Sequence, residues 1–436
     1  MNYSQSKYRI VTNKLNFFAL LLFIFWLPLN SNYLPIIISF WIFTWILEGN
    51  IKEKFFSFSY RKLYVGFLIY FFLTIISLFY TIDFNDGLFD IQEKLSIAFF
   101  PIILAGSNEI VKKHYKTILL VFVLANLIAS IYCLSDAFFS NLIIENGTWY
   151  IKYWHWYGTE KYSFWQQINM RISNFSGSLL SSLMHPSYFS MYILFSIVIL
   201  FDFYRSRIVK TIGWKIIVFF IIIFFIIMIY FLQSRAGLIA FLITAIFIIL
   251  YEMLNKRKKR LLFIGIIIIT LGSTFLFTST RMQKVAKQAL SLVKHPEQES
   301  LQEKDARFHT WFAATEVIKE NFWFGTAPAN LYKELGKKYE QHNLKKANDA
   351  QLNAHNQYLE TFAGLGIFGF LSLIFILVYG FYFAYKKKHY LLFFLLVILS
   401  INFMFESMLN RMAGVLFMMF FYSLFVFMKQ FREEDK

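Results

Sequence analysis

Long apolar runs alternate with short polar ones along the whole chain. Two of them, at 216–232 and 261–277, are almost free of polar residues. At about 1.5 Å of rise per residue, such a helix crosses or nearly crosses a hydrocarbon core of roughly 30 Å. The alternation predicts helices near 15–29, 33–47, 63–80, 95–105, 117–139 and 187–203. Two more flank a turn at 233–235, a ninth covers 261–278, and three follow from residue 358 to the end. This is an all-α pattern of about twelve transmembrane helices. It carries one large extracytoplasmic helical loop.

Composition agrees with the pattern. The chain has 436 residues, 58% of them hydrophobic and only 16% charged, against roughly 25% charged in a soluble domain. A net charge of +17 suggests nucleic acid, but its distribution argues against that partner. Lysines and arginines are concentrated in short segments between apolar runs, at 52–62, 112–116, 205–215, 256–260 and 386–388, and at both ends. Every one of these lands on the same side of a twelve-helix path, as the positive-inside rule requires. Both termini are therefore expected in the cytoplasm. Lys7, Arg9 and Lys14 resemble the start of a signal peptide, but no cleavage site follows, so the first helix is expected to be retained. The lone Cys133 allows no internal disulfide. The chain divides into helices one to nine over 1–278, with an aromatic outer loop near 140–183. The polar segment follows at 279–354, and helices ten to twelve occupy 355–436.

On that path Arg235, Arg307, His355, Glu406 and Arg411 all reach the outer face, where positive charge is scarce. Arg235 stands in a turn between two apolar helices, at an insertion cost of about 2.5–3.5 kcal/mol. It either faces a cavity or snorkels to headgroups; the small neighbours Ser234, Ala236 and Gly237 favour a tight, buried turn. Within the long outer segment, 281–294 and 305–320 have helical periodicity, the second with an apolar face of Phe308, Trp311, Phe312 and Val317. Residues 321–328 form an aromatic, glycine-containing turn, and 333–346 a mixed-charge helix with a solvated face. His355 closes the segment. Imidazole is the usual general base at neutral pH, and guanidinium groups are the usual partners of phosphate oxygens. Their grouping on one face points to chemistry on a membrane-anchored phosphate.

Other motifs are weaker. Trp149, Trp154 and Trp156 lie in the aromatic outer loop, either as sugar contacts or as an interfacial belt. His185 precedes Pro186 at a helix start. Glu406 stands five residues before Arg411 and is placed to pair with it. Residues 364–369 match G-x-G-x-x-G without a preceding strand, so close packing through small residues replaces a nucleotide reading. Asn146-Gly147-Thr148 matches a glycosylation acceptor. No cluster has metal-ligand spacing, so no metal is expected.

Gln233-Ser234-Arg235-Ala236-Gly237, Arg307 with Trp311, Phe324-Gly325, and His355-Asn356-Gln357-Tyr358-Leu359 before Gly364-Leu365-Gly366 together resemble the O-antigen ligase and polymerase superfamily. The clear match covers roughly 228–370. The resemblance implies a bacterial inner-membrane enzyme that moves a glycan from an undecaprenyl diphosphate-linked donor to an acceptor sugar hydroxyl, without cofactor or metal. By that resemblance His355 is the base, Arg235 and Arg307 hold the diphosphate, and Arg411 is an addition to the clamp. Glu406, His185, Asn356 and Tyr358 support it. The partners implied are the donor, a glycolipid or glycan acceptor, and the bilayer. Transfer to a lipid A-core-type acceptor would make it a ligase, joining of repeat units a polymerase. A lipid-glycan transporter and a non-catalytic envelope scaffold remain as other classes.

Overall fold

The structure is a computed structural model and describes residues 3–56, 61–155, 158–169, 173–254 and 306–428. The helices in the first part are α1 (Tyr3–Trp26), α2 (Leu34–Leu47), α3 (Ile51–Phe56), α4 (Arg61–Ile76), α5 (Phe84–Ala105), α6 (Glu109–Lys113) and α7 (Tyr115–Phe139). Strands β1 (Leu142–Glu145), β2 (Thr148–His155) and β3 (Gly158–Tyr162) precede α8 (Phe164–Asn169) and α9 (Gly177–Leu180). Then come α10 (Pro186–Arg205), α11 (Ile212–Phe231) and α12 (Arg235–Leu254). The last part has α13 (Ala306–Glu320), α14 (Pro328–Gln341), α15 (Lys345–Asp349), α16 (Gln357–Lys386), α17 (Tyr390–Phe405) and α18 (Met412–Phe427).

Among the described residues, seven helices are long and apolar enough to cross a membrane; they lie in α1, α4, α7, α10, α11, α12 and α16. The stretch Ser31–Leu47 and helices α17 and α18 are shorter and also apolar. The protein is a multi-pass helical membrane protein. The expected runs at 261–278 and 281–294 lie outside the described residues. The expected short helix at 95–105 is longer than its apolar run. It starts at Phe84 because Asp83, in extended conformation, accepts the N–H groups of Asn85 and Asp86 at 3.0 and 3.2 Å and caps it.

The chain forms two compact units, each discontinuous in sequence. The first comprises residues 1–53, 107–238 and 432–436. Here α1 packs on α2 and α7, and α10 on α7 and α11. Helix α10 is buried on every side from Pro186 to Leu200, the signature of a helix apolar all round. Its hydroxyls bond back into the helix: Ser190 Oγ donates to Ser187 O and Ser196 Oγ to Tyr192 O, both at 3.0 Å.

The same unit carries one departure from the helical class, an antiparallel three-stranded sheet in the order β1-β2-β3 where an aromatic loop is expected. Its first turn is Asn146-Gly147, with φ of +50° and +74°, the two left-handed residues that a two-residue hairpin demands. Glu145 opposite Thr148 closes the pair. The Asn-Gly-Thr triplet therefore has a conformational reason independent of glycosylation.

The second unit comprises residues 54–106 and 239–431. Helix α5 packs on α18, and α4 on α5 and α16; α17 lies between α16 and α18. Helices α13, α14 and α15 cover the start of α16 with a core of their own, built on Ala313, Val317, Leu335, Tyr339 and Ala347. The buried stripe of α13 runs through His309, Thr310, Ala313, Ala314, Val317 and Ile318. Small residues thus face the core, while Phe308, Trp311 and Phe312 are half-buried; the amphipathic face is rotated from the expected one. The mixed-charge helix starts at Pro328 rather than near 333, because Pro suits the first helical position. It buries Leu331, Leu335 and Tyr339 as well as solvating its charges.

Helix α16 is not one straight rod. Gly366 has φ +65° and ψ −167°, which interrupts it ten residues in. The turn at 322–326 fills the break: Thr326 N–H donates to Ala363 O and Ile367 N–H to Phe322 O, each at 2.9 Å. A Cβ on Gly366 would stand 2.2 Å from Trp323 O. The small residues at 364–369 do serve close packing, as expected, but what approaches is a turn rather than a second helix.

Candidate active site

His355 sits between two Asx-type turns. Asn353 Oδ1 accepts the His355 N–H at 3.0 Å, and Asn356 Oδ1 accepts the N–H groups of Tyr358 and Leu359 at 3.0 and 3.1 Å, capping α16. Between them His355 takes φ +45°, a conformation uncommon outside glycine but several-fold enriched for Asn, Asp and His. Glu406, extended at φ −153°, terminates α17. His355 Nδ1 and Glu406 Oε1 are 3.0 Å apart, with the imidazole 23% and the carboxylate 7% exposed. An ionised carboxylate only accepts, so Nδ1 carries the proton. In the neutral ring Nε2 is then the acceptor, the nitrogen available to take a proton.

Glu406 therefore reaches a partner other than the expected Arg411. Arg411 is exposed and stands just before α18. It lies beside Glu93 of α5, whose carboxylate also accepts the Met412 N–H. Next to Glu93 in sequence, Lys94 is buried and pairs with Asp90, one turn earlier, at 3.4 Å. Tyr70 of α4 is hydrogen-bonded to Thr361 within reach of the same charges. Sequence reasoning passed over Asp90, Glu93 and Lys94. Their signal was three ionisable residues at helical spacing directly before an apolar run.

The first turn of α16 binds the segment that follows α17. Gln357 Oε1 accepts the Leu409 N–H at 2.6 Å, and its amide donates to Thr361 Oγ1 at 2.9 Å. Glu360, 8% exposed, takes hydrogen bonds from Ala354 N at 2.9 Å, Ser407 Oγ at 3.1 Å and Asn410 Nδ2 at 2.5 Å. Tyr358 OH donates to Ser400 O at 3.1 Å. Asn356 and Tyr358 thus hold the local fold. From the other side, Thr310 Oγ1 reaches both Arg307 O at 2.9 Å and Ala354 O at 3.2 Å. The structure so brings together the first turn of α13, with Arg307, and the residue preceding His355.

Arg235 and His185 belong to the first unit, where their helix starts meet. His185 Nδ1 accepts the Ser187 N–H at 3.4 Å and caps α10. Ser234 Oγ lies 3.4 Å from Ser187 Oγ and accepts the Gly237 N–H at 3.1 Å. A Cβ on Gly237 would fall 2.3 Å from Ser190 Oγ, so the close approach of the first turn of α12 to Ser190 of α10 needs that glycine. Trp149, in β2 opposite Ile144, is 59% exposed. Trp154 pairs with Thr159 in the second hairpin, and Trp156 lies outside the described residues.

Apolar helices define a multi-pass membrane protein, and within it the His355 imidazole is held through Nδ1 by the buried Glu406 carboxylate. Residues 219–374 match the family model for O-Antigen ligase, so the likeness suggested by the motifs stands over that part of the chain. Over 377 residues it is also 28% identical to an uncharacterized protein of Haemophilus influenzae, in an alignment covering 83% of this chain and 82% of that one.

Proposed function

We propose that the protein is a glycosyltransferase of the bacterial inner membrane, of the O-antigen ligase type, working on the periplasmic face. The donor is a glycan on undecaprenyl diphosphate and the acceptor a sugar hydroxyl of a lipid A-core or similar glycolipid. The observation that carries this reading is the His355–Glu406 pair at 3.0 Å. His355 Nε2 takes the acceptor hydroxyl proton as that oxygen attacks the anomeric carbon. The anomeric carbon–phosphate oxygen bond breaks, and undecaprenyl diphosphate leaves with the bonding electrons. Glu406 keeps the ring oriented and stabilises the imidazolium, the role of the carboxylate in a Ser-His-Asp triad. Arg235 and Arg307 receive the developing charge on the diphosphate, where each fixed donor contributes about 2.7–4 kcal/mol in comparable sites. Arg411, exposed at the start of α18, is the weakest member of this clamp.

The test starts by deleting the protein and identifying the glycolipid that accumulates. Long undecaprenyl-linked chains mark a ligase, and single-repeat donors a polymerase. The accumulated donor then serves as substrate for purified variants. His355→Ala should lose turnover with donor binding retained, because the base acts in the transition state. Glu406→Gln should lose about 10²- to 10⁴-fold through the wrong tautomer. Arg235→Lys should lose both turnover and binding, since a single ammonium does not reproduce the planar fork. Near wild-type transfer by His355→Ala and Arg235→Lys would sink the assignment.

A further inference from the structure

An acidic residue in the first turn of a helix is ordinary, because it complements the helix dipole. Glu360 is placed differently. Its side chain is buried, and its three hydrogen-bond donors come from outside its own helix. Ala354 is the chain neighbour of His355; Ser407 is the chain neighbour of Glu406; Asn410 ends the short turn after it. One carboxylate therefore fastens the two segments that carry the two members of the pair.

The separation in sequence makes this fastening necessary. His355 and Glu406 are 51 residues apart and sit on segments that are not helical. Neither segment has a regular backbone ladder to fix its distance from the other. Gln357 adds a second tie through Leu409 N–H, but it reaches only the later segment. Glu360 joins positions 354, 407 and 410 at one point.

We propose that Glu360 is the positioning residue of this site, setting the distance and direction between His355 and Glu406 without touching the substrate. The proposal rests on His355 being the base, as argued above. A displacement of about 1 Å in a reacting group lowers rate by about 10²-fold, which sets the size of the effect.

A swap of partners tests it. Glu360→Gln presents an amide N–H₂ to the Asn410 N–H₂, donor against donor. Asn410→Asp alone presents carboxylate to carboxylate. Together, Glu360→Gln with Asn410→Asp restores one donor facing one acceptor and keeps the total charge. The assay is release of undecaprenyl diphosphate from the accumulated donor, with kcat and donor KM measured separately alongside thermal unfolding. Each single variant should lower kcat by about 100-fold with KM within a few-fold of wild type, and the double variant should recover most of the loss. A kcat that holds in Glu360→Gln, whatever happens to stability, overturns the proposal. So does a double variant that unfolds like wild type yet stays as slow as the single ones. His355→Ala is run in parallel: if it transfers normally, the catalytic reading itself has failed. If it is dead while Glu360→Gln is normal, only the role of Glu360 is lost.

Discussion

The break in α16 puts a measurable load on one atom. Replacing Gly366 with alanine adds a Cβ where backbone already stands, 2.2 Å from Trp323 O and 2.4 Å from Trp323 C. The conformation, φ +65° and ψ −167°, belongs to a region that is essentially glycine-only and costs a residue with a side chain about 1–3 kcal/mol. To relieve the clash the 322–326 turn must retreat, which stretches the two 2.9 Å bonds from Thr326 and Ile367. Each is worth about 1 kcal/mol net, and more where a buried group is left unpaired. The expected loss is therefore about 3–5 kcal/mol. Gly147→Ala is the control: it also has positive φ, +74°, but nothing lies within 4 Å of its added Cβ, so only about 1–2 kcal/mol of backbone strain applies. Reversible denaturant unfolding of both variants in the same detergent gives the comparison. The segment before the break carries Gln357, Glu360 and Thr361, so transfer should fall with stability in Gly366→Ala. If Gly366→Ala unfolds at the same denaturant concentration as Gly147→Ala, the break is not clamped as described.

Stability should also depend on pH through His389, which caps α17 by accepting the Leu392 N–H at 3.2 Å and packs 5.0 Å from the Phe425 ring centre. Burial pushes its pKa down from 6.5 to about 4. The unfolded chain then binds a proton that the folded one refuses, so stability is full above pH 6.5 and falls as the pH drops towards 4. Two to three pKa units set a ceiling of about 3 kcal/mol, and the residue's partial exposure should reduce that to about half. His389→Asn keeps a capping oxygen without the titration; unfolding midpoints between pH 7.5 and 5 should slope less in the variant, and equal slopes would remove His389 as the cause. For topology, Glu340→Cys on the exposed face of α14 should react with an impermeant thiol reagent added outside cells, and Lys386→Cys should not. Cys133 is buried and gives little background. Labelling of Lys386→Cys alone would invert the membrane orientation.

Hydropathy made the helices legible because burial in lipid selects on length and apolarity together. It failed where a local backbone reason outweighed the pattern. Residues 142–162 read as an aromatic loop, although Asn146-Gly147 between β-branched and aromatic residues is a strong hairpin signal. Helix α5 read short because Asp86, Asp90, Glu93 and Lys94 broke its apolar run, while the Asp83 cap and the Lys94–Asp90 pair support the helix through them. Gly366 read as an ordinary packing glycine, since no one-dimensional pattern shows a turn from 40 residues upstream entering the helix at that point.

The candidate residues could be picked out of the sequence one by one, but their pairings could not. His355 stood out because an imidazole at the seam of polar and apolar segments is unusual by itself. Glu406 was visible too, but sequence proximity offered Arg411 as its partner. The structure instead gives it His355, because the end of α17 returns to the start of α16. Glu360 was invisible for a related reason: one carboxylate in the first turn of an apolar helix looks like dipole compensation until its partners are known. What distinguishes it is that all three donors lie outside its own helix. An ionisable residue at the mouth of an apolar helix is better explained by what it holds than by its own charge. By that criterion Glu93, half-buried on α5 with its carboxylate accepting the Met412 N–H at the start of α18, belongs with Glu360 among the groups that hold the local fold.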